Sequence, residues 1–552
     1  MTQPDEPAGF SLSRRAFVAR TGLGAAGLLL GGPGLLESCA PASSHAHIQG
    51  SLRGASAAVG HLLRRPGGLP APSRTERTDM LIVGGGVAGL AAKRWLQRHG
   101  RADVLLVELE DAVGGNAAHG RSEVSAYPWG AHYLPVPDVR NRELLDFLQE
   151  AGVITGYAAD GLPIYNEYHL CHDPEERLLL HGHWQSGLVP ELGVPTEDKA
   201  QISRFFALVD ELRTARGADG LDAFALPLDR SSADPRWRAL DAESFAAYLD
   251  REGFTSAYLR WFLDYGCRDD YGATAAQVSA WAGLHYFACR KGRAHNAAHS
   301  DVLTWPEGNG FLVEQLRRQA PAGIHAGTLA YGLRETAAGV EVLCYDVATR
   351  QTTRVEARQV LLATPWLVTQ RLLGAVADAP VLSPAPHHAP WLVANLTVDG
   401  LPQGPGQPLS WDNVPYGGAG VGYIDANHQD LALRPGPRVI TYYWPLTHAD
   451  PTTARREAYQ TSYAEWLPRV LAELEQAHPG VTPRVQRADL WLWGHGMVAP
   501  TPGYVWGGRR EAARRPLRNK LFFAHTDLSG ISLFEEAFYQ GIRAATDMLL
   551  PA

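Results

Sequence analysis

The sequence predicts the α/β class: a doubly wound sheet with helices on both faces, joined to a region of mixed helix and strand. Three observations carry the prediction. A complete strand–helix–strand unit fits between residues 79 and 108, apolar runs that read as buried strands recur near residue 520, and helical and strand-like stretches fill the chain between. At 552 residues the chain is long enough for two or three domains with cores of their own.

Order is expected to begin at Asp79. Met80-Leu81-Ile82-Val83 is apolar without alternation, the pattern of a parallel strand buried on both faces. Gly84-Gly85-Gly86-Val87-Ala88-Gly89 follows at once, then a helical stretch from Leu90 to His99 with Gly100 as its stop. A second apolar strand, Val104 to Val107, ends at Glu108. The spacing points to a dinucleotide. Gly84 allows a tight turn, Gly86 lets a pyrophosphate approach the backbone, and Gly89 lets the helix lie close on the strand. Val87, Ala88 and Gly89 lead into the helix, whose N-terminal N–H groups and dipole face the phosphates. Glu108, nineteen residues after Gly89, stands where a carboxylate bonds both ribose hydroxyls of an adenosine and repels a 2′-phosphate.

The stretch from Glu108 to Gly114-Gly115 resembles the extended signature of the flavin amine oxidase and phytoene desaturase superfamily. The resemblance implies FAD, with the glycine pair alongside it. An arginine commonly follows that pair in the family; here it is Asn116. Thr304 to Gly310 with the helical Phe311 to Arg318 resembles the family's glycine turn and helix. Ile324 to Leu333 resembles the strand that meets the adenine, near Leu329, and Val360 to Pro365 the strand that returns to the cofactor. Ser532 to Ala537, then Gly541 to Ala545, resembles the last flavin-binding helix, whose N-terminus with Glu535 and Ala537 would face the ring. The family usually has Gly at the position of Glu536, and Gly then an acid at His525-Thr526; Asp527 would supply that acid with a shifted register.

The resemblance covers 79–150, 295–370 and 485–552. It implies a Rossmann-like FAD-binding domain made of those segments, interleaved with a mixed α+β substrate-binding domain made of 151–294 and 371–484. Helices are expected at Ile202 to Arg213, Ala242 to Leu249 and Ala275 to Phe287, with one long helical run from Ala454 to His478. Strands are expected at Trp391 to Val398 and Val439 to Trp444.

His132, in a loop that the family places close to the flavin, is a candidate proton shuttle or substrate contact. Trp491-Leu492-Trp493-Gly494-His495 approaches the flavin from the other side in the family layout, as a pocket wall or one face of a strand; His495 is a second candidate. Trp411-Asp412-Asn413 and Tyr442-Tyr443-Trp444 read as core or pocket wall, and Asp269-Asp270-Tyr271 as a solvated acidic turn before a cation site. Many amine oxidases place a lysine beside the flavin, whereas the strand expected there carries Asn395, and no lysine lies between Lys291 and Lys520. A dehydrogenase with another electron acceptor is therefore expected as readily as an oxidase.

Net charge is −8, which provides no basic field for nucleic acid. Cys171, Cys267, Cys289 and Cys344 have no metal-ligand spacing and read as buried thiols, so no metal site is expected. Residues 1–42 read as an export segment. Ser13-Arg14-Arg15-Ala16-Phe17-Val18 resembles a twin-arginine signal, a short Gly/Ala/Leu-rich stretch follows, and Cys39 stands in a sequence similar to a lipoprotein cleavage box. A periplasmic protein is expected, free or tethered to the membrane through a lipidated Cys39. Residues 43–78 read as a linker. Together these readings predict an FAD-dependent oxidoreductase that removes hydride from a small organic substrate, an amine or polyamine first. The alternatives are a desaturase or isomerase of an apolar polyene, or a flavin-binding partner subunit without turnover.

Overall fold

The apolar runs at 80–83 and 104–107 form neighbouring parallel strands, and the glycine loop between them leads into a helix. The structure, a computed structural model, describes residues 45–551 apart from 375, 383–384 and 431–435. The export signal and Cys39 lie outside the described residues.

The elements that frame the site begin with β1 (Gln49–Gly54), β2 (Pro72–Val83), α1 (Val87–Arg98), β3 (Val104–Val107), β4 (Glu176–Leu180) and α2 (Ala257–Tyr271). A meander follows, β5 (Thr328–Glu335), β6 (Val340–Asp346) and β7 (Gln351–Leu362). Then come β8 (His387–Val398), β9 (Asp412–Pro415), β10 (Tyr423–Asp425), β11 (Arg438–Pro445), β12 (Val485–Ala499), β13 (Leu521–Phe523) and α3 (Phe534–Leu549).

Two sheets organise these elements. In the first, β3, β2 and the C-terminal half of β7 run parallel, β13 adds to β7, and β6 and β5 fold back antiparallel from its N-terminal half. Helices α1 and α3 cover one face of this sheet. They meet closely because Gly541 has no side chain: a Cβ there would lie 2.1 Å from the Ala88 carbonyl oxygen. The core between helices and sheet holds Ile82, Leu90, Leu106, Leu361, Phe522 and Phe538. The second sheet has eight strands in the order β1, β12, β8, β11, β10, β9, β4 and His183–Ser186. Its inner face carries Trp391 and Val393 of β8 against the helices of 196–288, and its outer face packs on the helices of 451–477.

Several sequence expectations change. Within the expected linker, Gln49–Gly54 pairs in parallel with β12, and Pro72 to Thr78 extends β2 along β7. Backbone pairing, together with bonds such as Arg74 Nε to the Thr353 hydroxyl (2.7 Å), orders this polar stretch without an apolar signal. Strand β12, expected in the cofactor domain, belongs to the eight-stranded sheet through its pairing with β8. The helical run from Ala454 to His478 is two helices, Pro451–Gln460 and Tyr463–Ala477. The second starts anew at Ser462, whose side chain and Glu465 form a capping box. Asp269 and Asp270 lie in α2, not in a solvated turn. Cys171, Cys267, Cys289 and Cys344 are free and buried, as read. No helix among the described residues is long and apolar enough to cross a membrane.

Candidate functional site

The glycine loop has the geometry that its sequence implies. Gly84 takes φ +108°, and a Cβ on it would lie 2.5 Å from the Ala363 oxygen. A Cβ on Gly89 would lie 1.9 Å from the Gly84 oxygen, so helix and strand touch backbone to backbone. A Cβ on Gly86, by contrast, would meet nothing within 4 Å. Open space therefore stands over Gly86, and α1 begins there with no side-chain cap, leaving the N–H groups of Val87, Ala88 and Gly89 toward it. The fit to a dinucleotide phosphate is direct.

Glu108 closes the other side of the loop. Its carboxylate accepts from the Gly85 N–H at 2.6 Å and from the Glu110 N–H at 2.9 Å. Burial pushes its pKa up, while these backbone bonds act in the opposite sense. Gly114 donates to the Gly85 oxygen at 2.9 Å, which brings the pair Gly114-Gly115 alongside the loop. Asn116 reaches across and donates to the Gly496 carbonyl. The N–H groups of Gly327 and Thr328, not of Leu329, reach the turn after β3, donating to the Glu110 and Glu108 carbonyls at 2.8 and 2.7 Å. Leu329 is buried in the ladder opposite Tyr345.

Asp527 is fully buried and committed to protein partners. One oxygen accepts from the Trp366 N–H at 2.7 Å, and the other lies 2.9 Å from His388 Nε2 and 3.2 Å from His525 Nδ1. Burial alone would raise its carboxyl, but His388 and His525 hold it well below the usual range. It anchors the first turn of helix Trp366–Leu373, so both of its oxygens, expected beside a ribityl chain, have protein partners. Asn395 is likewise engaged by protein partners. It is buried, donates to the Pro128 carbonyl at 3.1 Å and accepts from the Thr441 hydroxyl at 2.7 Å. This ties β8 to β11 and to the 127–133 loop.

His132 stacks on Tyr443 with ring centroids 4.5 Å apart, and Trp411 lies 5.7 Å from it. Burial lowers its pKa to about 4, so it is a neutral imidazole at neutral pH. Tyr443 donates to the Gly130 oxygen at 3.0 Å, Trp493 donates to the Trp129 oxygen at 2.6 Å, and Trp491 stands 5.1 Å from Trp129. The alternate tryptophans are thus both a strand face and part of an aromatic wall. His495 belongs to a different group, 5.7 Å from His388. Its pKa is lowered to about 3 by burial first and then by Arg455.

Beyond this wall five carboxylates gather with one guanidinium. Asp269 and Asp270 come from α2, Asp412 from β9, Glu176 from β4, Glu535 from the first turn of α3, and Arg290 from the segment after helix Ala280–Ala288. Asp270 accepts from the Tyr133 hydroxyl at 3.3 Å and lies 3.6 Å from Arg290, and Asp412 accepts from the Tyr265 hydroxyl at 3.4 Å. Burial, then the neighbouring Asp270, pushes Asp269 up to about 7; burial pushes Glu535 up to about 7; Asp412 is raised well above the usual range by burial, Glu176 and Asp269. Glu176 nevertheless keeps an exposed side chain, and Asp269 and Asp412 are only half-buried, so the group reaches the surface rather than lying in a closed core. Glu176 and Arg290 carried no sequence signal, because only folding brings them together. Glu536, where the family has glycine, is buried and accepts from the Leu228 N–H. Ala537 packs half-buried on the cofactor-side core.

A family described as an NAD(P)-binding Rossmann-like domain matches residues 82–151. Solved structures match over the whole fold. Putrescine oxidase bound to putrescine aligns with a TM-score of 0.61 at 17% identity, covering 86% of this chain and 99% of that one. The chain shares the fold of this amine oxidase. Cyclohexylamine oxidase from Brevibacterium oxydans has the same amine oxidase fold, with a TM-score of 0.56 at 16% identity over 85% of this chain and 98% of that one. So does the CLA-producing fatty acid isomerase from P. acnes, with a TM-score of 0.59 at 17% identity over 86% and 99%. No curated protein matches the sequence significantly. Within the amine oxidase fold, the glycine loop, Glu108 and the aromatic wall occupy one continuous body, His47–Ala552.

Proposed function

We propose that the protein is an FAD-dependent oxidoreductase that removes hydride from a small cationic amine or polyamine, with oxygen or another acceptor taking the electrons. Val87, Ala88 and Gly89 would hold the pyrophosphate, and Glu108 the adenosine ribose. The bound flavin supplies the hydride acceptor; the chain positions the substrate and excludes water. The observation that carries the substrate class is the cluster of Asp269, Asp412 and Glu176 beside the aromatic wall. Carboxylates in excess of Arg290 are costly to ionise when crowded, and an ammonium group relieves that cost. The faces of Trp411 and Tyr443 favour the same charge. His132, as a neutral imidazole, would orient the amine without competing with it for the acids. Putrescine oxidase among the similar structures agrees with this reading, while the fatty acid isomerase marks the alternative of an apolar substrate. Export by the twin-arginine route and a lipid tether at Cys39 belong to the same proposal.

Kinetics with Asp269→Asn and Asp412→Asn test the substrate class. Each substitution should raise KM for a diamine about tenfold or more with little change for a neutral substrate, as expected for loss of one charge-assisted bond. Unchanged KM in both variants would remove the support for a cationic substrate.

A further inference from the structure

Part of the segment read as a linker lies against the residues that follow β3, next to the glycine loop. It leaves the eight-stranded sheet at Gly54, at the end of the β1–β12 pairing, and enters the other sheet at Pro72. Between these anchors run a short helix, Ala57–Gly60, and a 3-10 turn, His61–Arg64. Ligands of doubly wound sheets bind outside the carboxyl ends of the strands, and this segment lies there, against the residues that follow β3. The Ser56 N–H and hydroxyl both donate to the Glu110 carboxylate, each at 2.8 Å. Gly60 faces Leu109, with its Cβ position 3.4 Å from Leu109 Cδ2, and Leu63 packs on the cluster that contains Leu105 and Val107.

The Ser56 contact continues inward. The Glu110 N–H donates to one oxygen of Glu108, and the other oxygen accepts from the Gly85 N–H. Ser56, Glu110, Glu108 and Gly85 thus form one hydrogen-bonded chain from the surface segment to the phosphate loop. Yet no residue of 57–64 is buried. A segment with so little core anchoring opens locally at small cost, and the bidentate Ser56–Glu110 contact is its main latch.

We propose that residues 55–64 are a strap over the adenosine half of the cofactor site, and that Ser56 is a positioning residue that keeps the strap closed and holds Glu108 in register through Glu110. The proposal rests on the FAD reading and adds that the strap limits how fast FAD leaves.

The test is FAD release from purified holoenzyme on dilution, followed by the rise of free-flavin fluorescence, with amide hydrogen exchange of residues 56–64 as a second measurement. Ser56→Ala and Glu110→Gln should each speed release roughly tenfold and raise exchange across the strap, the effect of losing hydrogen bonds to a charged group. Ser51→Ala, on the anchored strand β1, should leave both unchanged. FAD release and strap exchange that stay at the wild-type rate in both latch variants would overturn the strap while leaving the FAD reading intact. A wild-type protein that purifies without flavin and binds none would overturn both.

Discussion

Gly86 and Gly89 carry the same residue for opposite reasons, and substitution separates them. A valine at Gly86 enters open space, so Gly86→Val should fold normally yet lose FAD, because its side chain occupies the pyrophosphate path. A valine at Gly89 would need room where the Gly84 oxygen stands 1.9 Å away, so Gly89→Val should yield insoluble protein. Flavin absorbance and circular dichroism of the two variants check both outcomes; yellow Gly86→Val protein would contradict the phosphate role. The backbone geometry of these glycines was legible in sequence because it depends on neighbours within one β-α-β unit. Asn395 and Asp527 were not, because their partners Pro128, Thr441, Trp366 and His388 arrive from distant strands and loops. Asn395→Leu leaves the Pro128 carbonyl and the Thr441 hydroxyl unpaired, and should cost about 1–3 kcal/mol in denaturant unfolding. A loss of activity without any loss of stability would instead restore Asn395 as a catalytic candidate.

At the scale of elements, the acidic cluster depends on α2, β4, β9 and α3 converging, and its charge makes a pH prediction. Asp269 and Glu535 have folded-state pKa values pushed up to about 7, above their ordinary values. Between the ordinary carboxylate range and about 7, the folded state therefore holds more protons than the unfolded one, so stability falls as pH rises through that window. The Tm of protein without an amine should decline from pH 5 to pH 8, and less steeply in Asp269→Asn. A quaternary ammonium competitor, whose charge does not titrate, should bind more tightly as pH rises through about 7, because it needs the ionised carboxylates. Flat binding across that range would contradict the cation site. Asp269-Asp270-Tyr271 and Trp411-Asp412 were visible as motifs, but the sequence could not show that α2 turns its acids toward β9. The same limit applies to β1 and β12: Gln49–Gly54 is a strand only because β12 pairs with it, and β12 leaves the cofactor domain only because β8 receives it.

For the whole molecule, the sheet that carries the glycine loop was legible because the segments around 80, 360 and 521 each carry a buried-strand pattern, and they do pair through β2, β7 and β13. The export reading belongs at this scale too. Replacing Arg14 and Arg15 by lysines should leave folded, flavin-loaded protein in the cytoplasm, and fractionation with unchanged periplasmic or membrane yield would contradict it. The central claim is that one chain joins an FAD groove to an acidic, aromatic cluster for an amine. Anaerobic titration of the purified protein, followed by its visible flavin spectrum, tests that claim most directly. The account predicts bound FAD that bleaches on addition of a diamine such as putrescine and is unaffected by a polyunsaturated fatty acid. Bleaching by the fatty acid alone, or a flavin that no amine reduces, would contradict it.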